Sequence, residues 1–278
     1  MTSPSKVLSI LSLFSQQRPV WQPEEICETL GFTRATGYRY IKELVDFGLL
    51  NKVSARHYSL GSRIIELDYQ LRGSDPVLLA ADPVMHDLSF KTGKECVLTV
   101  LINRLHVIDT HRVRTVNPNT TSVARSRGRQ RPMFRAGAPK ILLSCLPRHQ
   151  QKQIYQGHAE EIQAHDMGAS WDEFRANLDH IRKAGFYMSW GELEPDMGAA
   201  VVPVFNPDGD IVAALNLLDS PENIRRADPV RTKAILEEAA WKIRQRQAYP
   251  SLQAPPQSTE PTFHATAQHA GKTPIAKP

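Results

Sequence analysis

The sequence predicts an α+β chain: an N-terminal winged helix-turn-helix, a linker helix, and a C-terminal α/β domain. Three observations predict it. Residues 23–60 carry two helical patterns joined by a tight turn and followed by a short basic hairpin. Residues 63–71 form a separate amphipathic piece, set off by Gly61-Ser62 and by Arg72-Gly73-Ser74-Asp75-Pro76. Beyond residue 76, β-rich runs alternate with helical ones.

Val7, Ile10, Leu11 and Phe14 have helical spacing, so residues 6–14 read as a first helix, with Arg18-Pro19 ending it. Ile26 and Leu30 give the next helix an apolar stripe. Gly31 stops it, because glycine adopts the left-handed conformation without a Cβ clash. Thr33 then caps a helix over residues 33–45, with its hydroxyl accepting from the first turn. That helix is expected to bury Gly37, Ile41, Leu44 and Val45. Glycine inside a helix costs about 1 kcal/mol relative to alanine, so Gly37 signals close approach by the preceding helix. The other face offers Arg34, Ala35, Thr36, Tyr38, Arg39 and Lys42. Small, hydroxyl, aromatic and cationic groups at a helix N-terminus suit a DNA major groove. Val53 and residues 58–60 read as two strands of a wing with Arg56 at its tip. The alternative is a small three-helix domain that binds protein or merely dimerises. Such a domain needs neither Thr-Arg-Ala-Thr at a helix start nor a basic-tipped hairpin.

Residues 63–71 are read as a linker helix whose apolar face (Ile64, Ile65, Leu67, Leu71) needs a partner, most simply a second copy of itself. A longer helix follows over residues 77–91. Residues 96–102 and 105–110 form a hairpin around Asn103-Arg104. An Arg-rich segment comes next, with a strand near residues 122–127. Residues 140–145 and 148–155 read as short helices on either side of Pro147. Residues 171–184 are a clear helix, with Ser170 and Glu173 as a capping box and Gly185 as its stop. Strands over 186–190, 199–205 and 210–218 and a helix over 229–245 complete a mixed sheet with helices on one side. The turn Asn206-Pro207-Asp208-Gly209 joins the last two strands. From Tyr249 onward there are six prolines in 30 residues and little to bury, the composition of a disordered tail. The domains are therefore 1–62, 63–75, 76–248 and the tail 249–278.

At 278 residues, 41% hydrophobic and 23% charged, the composition is that of a soluble protein. No run is long and apolar enough for a membrane span, and the first residues lack a signal peptide's pattern. Cys27, Cys96 and Cys145 have no metal or disulfide spacing, which fits a reducing cytoplasm. The net charge of +5 is local in origin. Residues 112–135 hold seven arginines and no acid, so the rest of the chain carries −2, five less seven. Residues 1–61 carry only +2, so the arrangement of side chains, not bulk charge, argues for DNA.

The chain resembles the IclR family of bacterial transcriptional regulators over residues 5–245. The matching stretches are Lys6-Val7-Leu8-Ser9-Ile10-Leu11, residues 24–39, Tyr58-Ser59-Leu60-Gly61, residues 131–147, Pro203-Val204 and residues 209–216. The resemblance implies a winged helix-turn-helix, a GAF-like effector domain, and homodimers that pair into tetramers. Ala-Ala-Leu-Asn at 213–216 looks most like the branch that controls aromatic-acid catabolism.

An effector site is suggested first by the residues. Gly137 and Ala138 precede a helix with Pro139 in its first turn, leaving backbone N–H groups and a helix N-terminus that attract an anion. An ordinary helix start gives the same pattern. Asn216 shares a strand face with Val212, Ala214 and Leu218, so its amide meets either a ligand or partners in the core. Carried over by position, the resemblance implies a pocket of Gly137, Ala138, Ser189, Ala199, Asn216 and Leu218. Ser189 stands where some members have Asp, Ala199 replaces Cys, Leu218 replaces Ser, and Pro139 replaces Gly. Fewer polar groups remain, so the expected ligand has one carboxylate and an apolar or aromatic body, unlike glyoxylate or pyruvate. Arg125, Arg127, Arg129 and Arg131 alternate along a strand, as an anion clamp or as a solvated edge or subunit interface. His106 and His111, five apart, would face opposite sides of a strand and share no metal. No catalytic motif, cofactor or metal is expected. The partners are double-stranded operator DNA, a small organic acid and further copies of the chain.

Overall fold

The computed structural model describes residues 2–102, 106–114, 128 and 130–248. Helix α1 (Ser3–Ser9) leads into a 3-10 turn over Leu11–Leu13. The single helix expected over 6–14 is thus two pieces. Ser9 Oγ donates to the Lys6 carbonyl (2.8 Å), competing with the helical ladder, and the Leu13 carbonyl is taken by Trp21 Nε1 (3.0 Å). Helices α2 (Pro23–Leu30) and α3 (Arg34–Asp46) follow, then the wing, β1 (Leu50–Ser54) and β2 (His57–Leu60). Gly31 is left-handed at φ 66°, and Thr33 Oγ1 accepts from the Thr36 N–H, both as the sequence implies. Trp21 exchanges both backbone bonds with Tyr58, which ties the wing to the segment before α2. Ile10, Trp21, Ile26, Tyr40, Ile41, Leu44 and Leu50 form the core of this unit. Tyr40 takes the buried place expected of Val45, which is only half-buried. The Tyr40 ring packs edge-on against Phe32, and its hydroxyl meets Ser3 Oγ (3.0 Å).

The linker helix α4 (Arg63–Ser74) runs through Arg72 and Gly73, three residues past its expected end. It stops where the Asp75 carboxylate caps α5 (Pro76–Thr92), accepting from the Val77 and Leu78 N–H groups. No α4 residue is buried; Ile65 is 74% exposed and Tyr69 77%.

Strands β3 (Glu95–Ile102), β4 (His106–Val113) and β5 (Gln130–Arg131) precede three helices, α6 (Gly137–Cys145), α7 (Arg148–Ala164) and α8 (Trp171–Ala184). Strands β6 (Tyr187–Trp190), β7 (Gly198–Phe205) and β8 (Ile211–Asp219) are followed by α9 (Pro221–Arg226) and α10 (Pro229–Ala248). The sheet order is β5-β4-β3-β8-β7-β6, and every pairing is antiparallel. Among the described residues the sheet is therefore not mixed, and helices cover both faces. Cys96, Leu98, Val202 and Leu215 pack on one side with α5 and α10. Val97, Val201, Ala214 and Leu218 pack on the other with α6, α7 and α8. Strict alternation explains the split: neighbouring strand residues point to opposite faces, and both are apolar.

Three expectations change in detail. Helix α7 is 17 residues long, bending at His158 (φ −139°) where a shorter helix was read. Helix α9 was not foreseen. A register shift beside Phe205 moves Val212 to the α10 side, so it does not share a face with Ala214, Asn216 and Leu218. The turn at Asn103-Arg104, the strand read near 122–127 and the tail 249–278 lie outside the described residues.

Gly37 is explained by distance. A Cβ there would sit 2.2 Å from Cys27 Sγ, where α2 crosses α3. We expect Gly37→Ala to lower stability by about 1–3 kcal/mol through overpacking, outweighing its gain of about 1 kcal/mol in helix propensity. Adding Cys27→Ala should recover most of the loss. Chemical unfolding of the full chain, followed by helical circular dichroism, measures both.

Candidate functional site

The structure brings the sequence-predicted residues into two groups. Arg34, Ala35, Thr36, Tyr38, Arg39 and Lys42 lie on the solvent side of α3, opposite its buried Gly37, Ile41 and Leu44. Arg56 occupies the turn between β1 and β2, at the tip of the wing. Their freedom differs. Thr36 Oγ1 accepts from Thr33 Oγ1 (3.0 Å), which draws it into the helix cap. Tyr38 donates its hydroxyl to Glu24 Oε1 at 2.6 Å. That bond, aided by Arg56 and Arg34 nearby, holds the Glu24 carboxyl below its ordinary range; the same bond pushes the Tyr38 phenol up, against the opposing pull of Arg34. Arg39 lies over the Tyr40 ring at 5.4 Å and, like Arg34 and Lys42, remains exposed. Glu24 and Arg18 were not singled out from the sequence. Arg18 stacks 3.3 Å over Trp21 and pairs with Glu25, both outside α3.

The second group lines a cavity between α6 and the sheet. Gly137, Ala138, Ser189, Ala199, Asn216 and Leu218 all border it. Gly137 is there for packing. A Cβ would come within 2.8 Å of Val201 Cγ2 and 3.2 Å of the Tyr187 ring, so glycine lets the start of α6 rest on β7 and β6. Ala136, the residue before α6, has φ 69°. A non-glycine residue at such an angle stores about 1–3 kcal/mol of strain. The Glu192 loop holds it there: Glu192 Oε2 accepts from the Ala136 N–H (3.1 Å) and from Lys140 Nζ (2.6 Å). Tyr187 donates its hydroxyl to Glu192 Oε1 (3.2 Å), and Lys140 Nζ also donates to the Tyr187 oxygen (2.9 Å). Burial alone would depress the Lys140 ammonium, but the bonds to Glu192 and Tyr187 together raise its pKa.

The floor is polar and internally hydrogen-bonded. Asn216, 4% exposed, donates through Nδ2 to the Val97 carbonyl (3.0 Å) and Thr99 Oγ1 (3.1 Å). Thr99 in turn donates to Asp109 Oδ1 (2.9 Å). The other Asp109 oxygen accepts from Arg131 Nε (2.9 Å) and Nη2. The Asp109 and Arg131 side chains are only 6% and 8% exposed. Arg131 is thus committed to an internal pair, where the sequence left open a clamp or a solvated edge. Arg125, Arg127 and Arg129 lie outside the described residues.

Thr99 and Asp109 had a signal in the sequence: each is a polar residue within a β-rich apolar run. The encounter of Glu192 with Ala136 and Lys140 had none. A register shift between β3 and β4, near Leu98, breaks the alternation on which the His106–His111 argument rested. His111 Nε2 lies 2.7 Å from Asp82 Oδ1 on α5. Among the described residues no group of three His, Cys, Asp or Glu side chains could hold a metal. Burial raises all three thiols, Cys96 to about 12, so these cysteines are held as neutral thiols.

A winged helix-turn-helix joined to a domain with a small internal cavity defines the class of ligand-responsive DNA readers. The comparisons give the family. Residues 72–245 match the family described as bacterial transcriptional regulator IclR C-terminal, and residues 3–54 match the IclR helix-turn-helix domain. The chain belongs to the IclR family of transcriptional regulators. It is 23% identical over 251 residues to the HTH-type transcriptional regulator XynR of Escherichia coli, covering 90% of this chain and 98% of that one. An IclR regulator from Alicyclobacillus acidocaldarius has the same fold, with a TM-score of 0.72, 24% identity, and coverage of 88% and 98% of the two chains. So does an IclR homologue from Microbacterium hydrocarbonoxydans in complex with 4-hydroxybenzoate, with a TM-score of 0.67, 21% identity, and coverage of 89% and 99%. No helix among the described residues is long and apolar enough to cross a membrane.

The buried Asp109–Arg131 pair makes a sharp prediction. Asp109→Asn should destabilise by about 3–5 kcal/mol, because it strands a buried guanidinium. Asp109→Asn with Arg131→Gln should cost less than the single change. A double-mutant cycle from thermal unfolding measures the coupling.

Proposed function

We propose that this regulator binds operator DNA through α3 and the wing, and that a small organic acid in the α6 cavity modulates that binding. The observation that carries the reading is the convergence of all six effector candidates, drawn from four separate stretches of chain, on one cavity. The complex of the Microbacterium homologue with 4-hydroxybenzoate supports an aromatic monocarboxylate as the ligand class. Arg39 contacts base or phosphate, Lys42 and Arg56 hold phosphates, and Tyr38 is oriented by Glu24 for its contact. The exposed apolar residues of α4 pair with a second copy of the chain, placing two recognition helices on one duplex. Ligand binding then shifts the balance between arrangements of the paired DNA-binding units.

Arg39→Ala should weaken binding to the DNA upstream of the protein's own gene at least tenfold, with the thermal midpoint unchanged. Fluorescence anisotropy against labelled duplex reads it, and undiminished affinity sinks the assignment. Lys42→Ala should flatten the log–log salt dependence of binding by about one unit. In a thermal-shift screen of small carboxylic acids, a true ligand at 100 times its Kd adds about 2.7 kcal/mol of apparent stability. Ala199→Leu, which fills the cavity, should abolish that shift. A shift that persists would place the ligand elsewhere.

A further inference from the structure

Resting on the effector reading above, we propose that Arg135 is the counter-ion of the ligand's carboxylate, and that the cavity selects singly charged acids. Among the described residues, four charged side chains border the cavity: Asp109, Arg131, Arg135 and Glu192. Arg131 is neutralised by Asp109 in a bond buried from water. Glu192 is neutralised by Lys140, just behind it. Arg135 is left over. Its Nε and Nη2 donate to the main-chain carbonyl of Glu192, at 3.0 and 2.6 Å, which fixes the guanidinium without cancelling its charge. No carboxylate among the described residues lies within ion-pair distance of it.

The fork so held keeps both Nη1 hydrogens for another acceptor. Beside it, the N–H groups of Gly137 and Ala138 make no hydrogen bond to the described residues, and both residues border the same cavity. A guanidinium and two open amides at a helix start are complementary to one carboxylate. The remaining wall offers Val97, Met197, Ala199 and Leu218 to an apolar body. At the floor, the Asn216 amide donates to the Thr99 hydroxyl, which in turn donates to Asp109. A second carboxylate would meet there the already paired Asp109–Arg131 bridge and find no spare cation among the described residues. The ligand class is therefore a monocarboxylate with an uncharged body. The sequence pointed to other arginines for this task, because Arg135 becomes distinct only when its neighbours are seen to be paired.

The test uses the full chain and isothermal titration with benzoate, 4-hydroxybenzoate and hexanoate, the matching primary amides, and terephthalate. The wild type should bind at least one acid ten or more times tighter than its own amide, and than terephthalate. Arg135→Gln should lose that preference, while Arg135→Lys should keep part of it. Unchanged melting of both unliganded variants shows that the fold is intact. An acid preference that survives in Arg135→Gln, or wild-type binding that is equal for acid and amide, overturns the role of Arg135 and leaves the cavity reading standing. Wild-type protein that binds none of the probes overturns both.

Discussion

A sheet covered on both faces leaves a polar side chain no water to turn to. That constraint organises the C-terminal half of this protein. Any hydroxyl, amide or charge pointing off β3, β4 or β8 must find its partners inside, because leaving one unmade costs about 1–3 kcal/mol. The α5–α10 side meets the demand almost wholly with apolar residues. On the α6 side, the answer is a chain of bonds from Asn216 through Thr99 and Asp109 to Arg131. The chain also fixes β5 to the sheet edge beside Val107 and Ile108. The cavity exists where α6 approaches this polar floor without covering it. Gly137 sets how near the helix comes, and the Glu192 loop closes part of the opening.

Much of this was legible in the sequence, and the reasons are local. Gly31, Thr33, Ser170 and Gly185 act through their own backbone neighbourhoods, so the helix ends they define were readable one residue at a time. Gly37 announced a close crossing, and Cys27 is the atom it makes room for. Strand alternation placed Ala214, Asn216 and Leu218 together, and failed at Val212 because a register shift is invisible in a one-dimensional pattern. The count of sheet faces failed for a related reason. Strands such as 199–205 are apolar on both sides, which a single periodicity cannot separate into two cores. The pairing of charges was beyond reach. Arg131 with Asp109 and Lys140 with Glu192 join residues 22 and 52 positions apart, and nothing in either neighbourhood names the partner.

The same two pairs give the cavity its proposed selectivity. A pocket lined with arginine reads from sequence as a trap for strongly anionic ligands. With the pairs made, a single unpaired positive charge, Arg135, borders the cavity among the described residues, and in the proposed reading the apolar wall decides the rest. The DNA-binding unit shows the converse. Arg34, Arg39, Lys42 and Arg56 stand on its surface without an ion-pair partner among the described residues, which suits the phosphate contacts proposed for them. The exposed apolar side chains of α4, between the two units, are where a second copy would join them.

In the proposed function, cavity and recognition helix are coupled through one equilibrium. Coupling of that kind is reciprocal: whatever factor the ligand applies to DNA affinity, DNA must apply to ligand affinity. The most direct measurement is the Kd of the best-binding acid from the screen, with and without saturating operator duplex, at fixed salt. Coupling of that kind gives a change of about five-fold or more, the lower end of typical allosteric coupling, matched by an equal change in operator Kd when the ligand is saturating. Identical ligand affinity in the two conditions would contradict it, leaving a DNA-binding unit and a cavity that share a chain but no equilibrium.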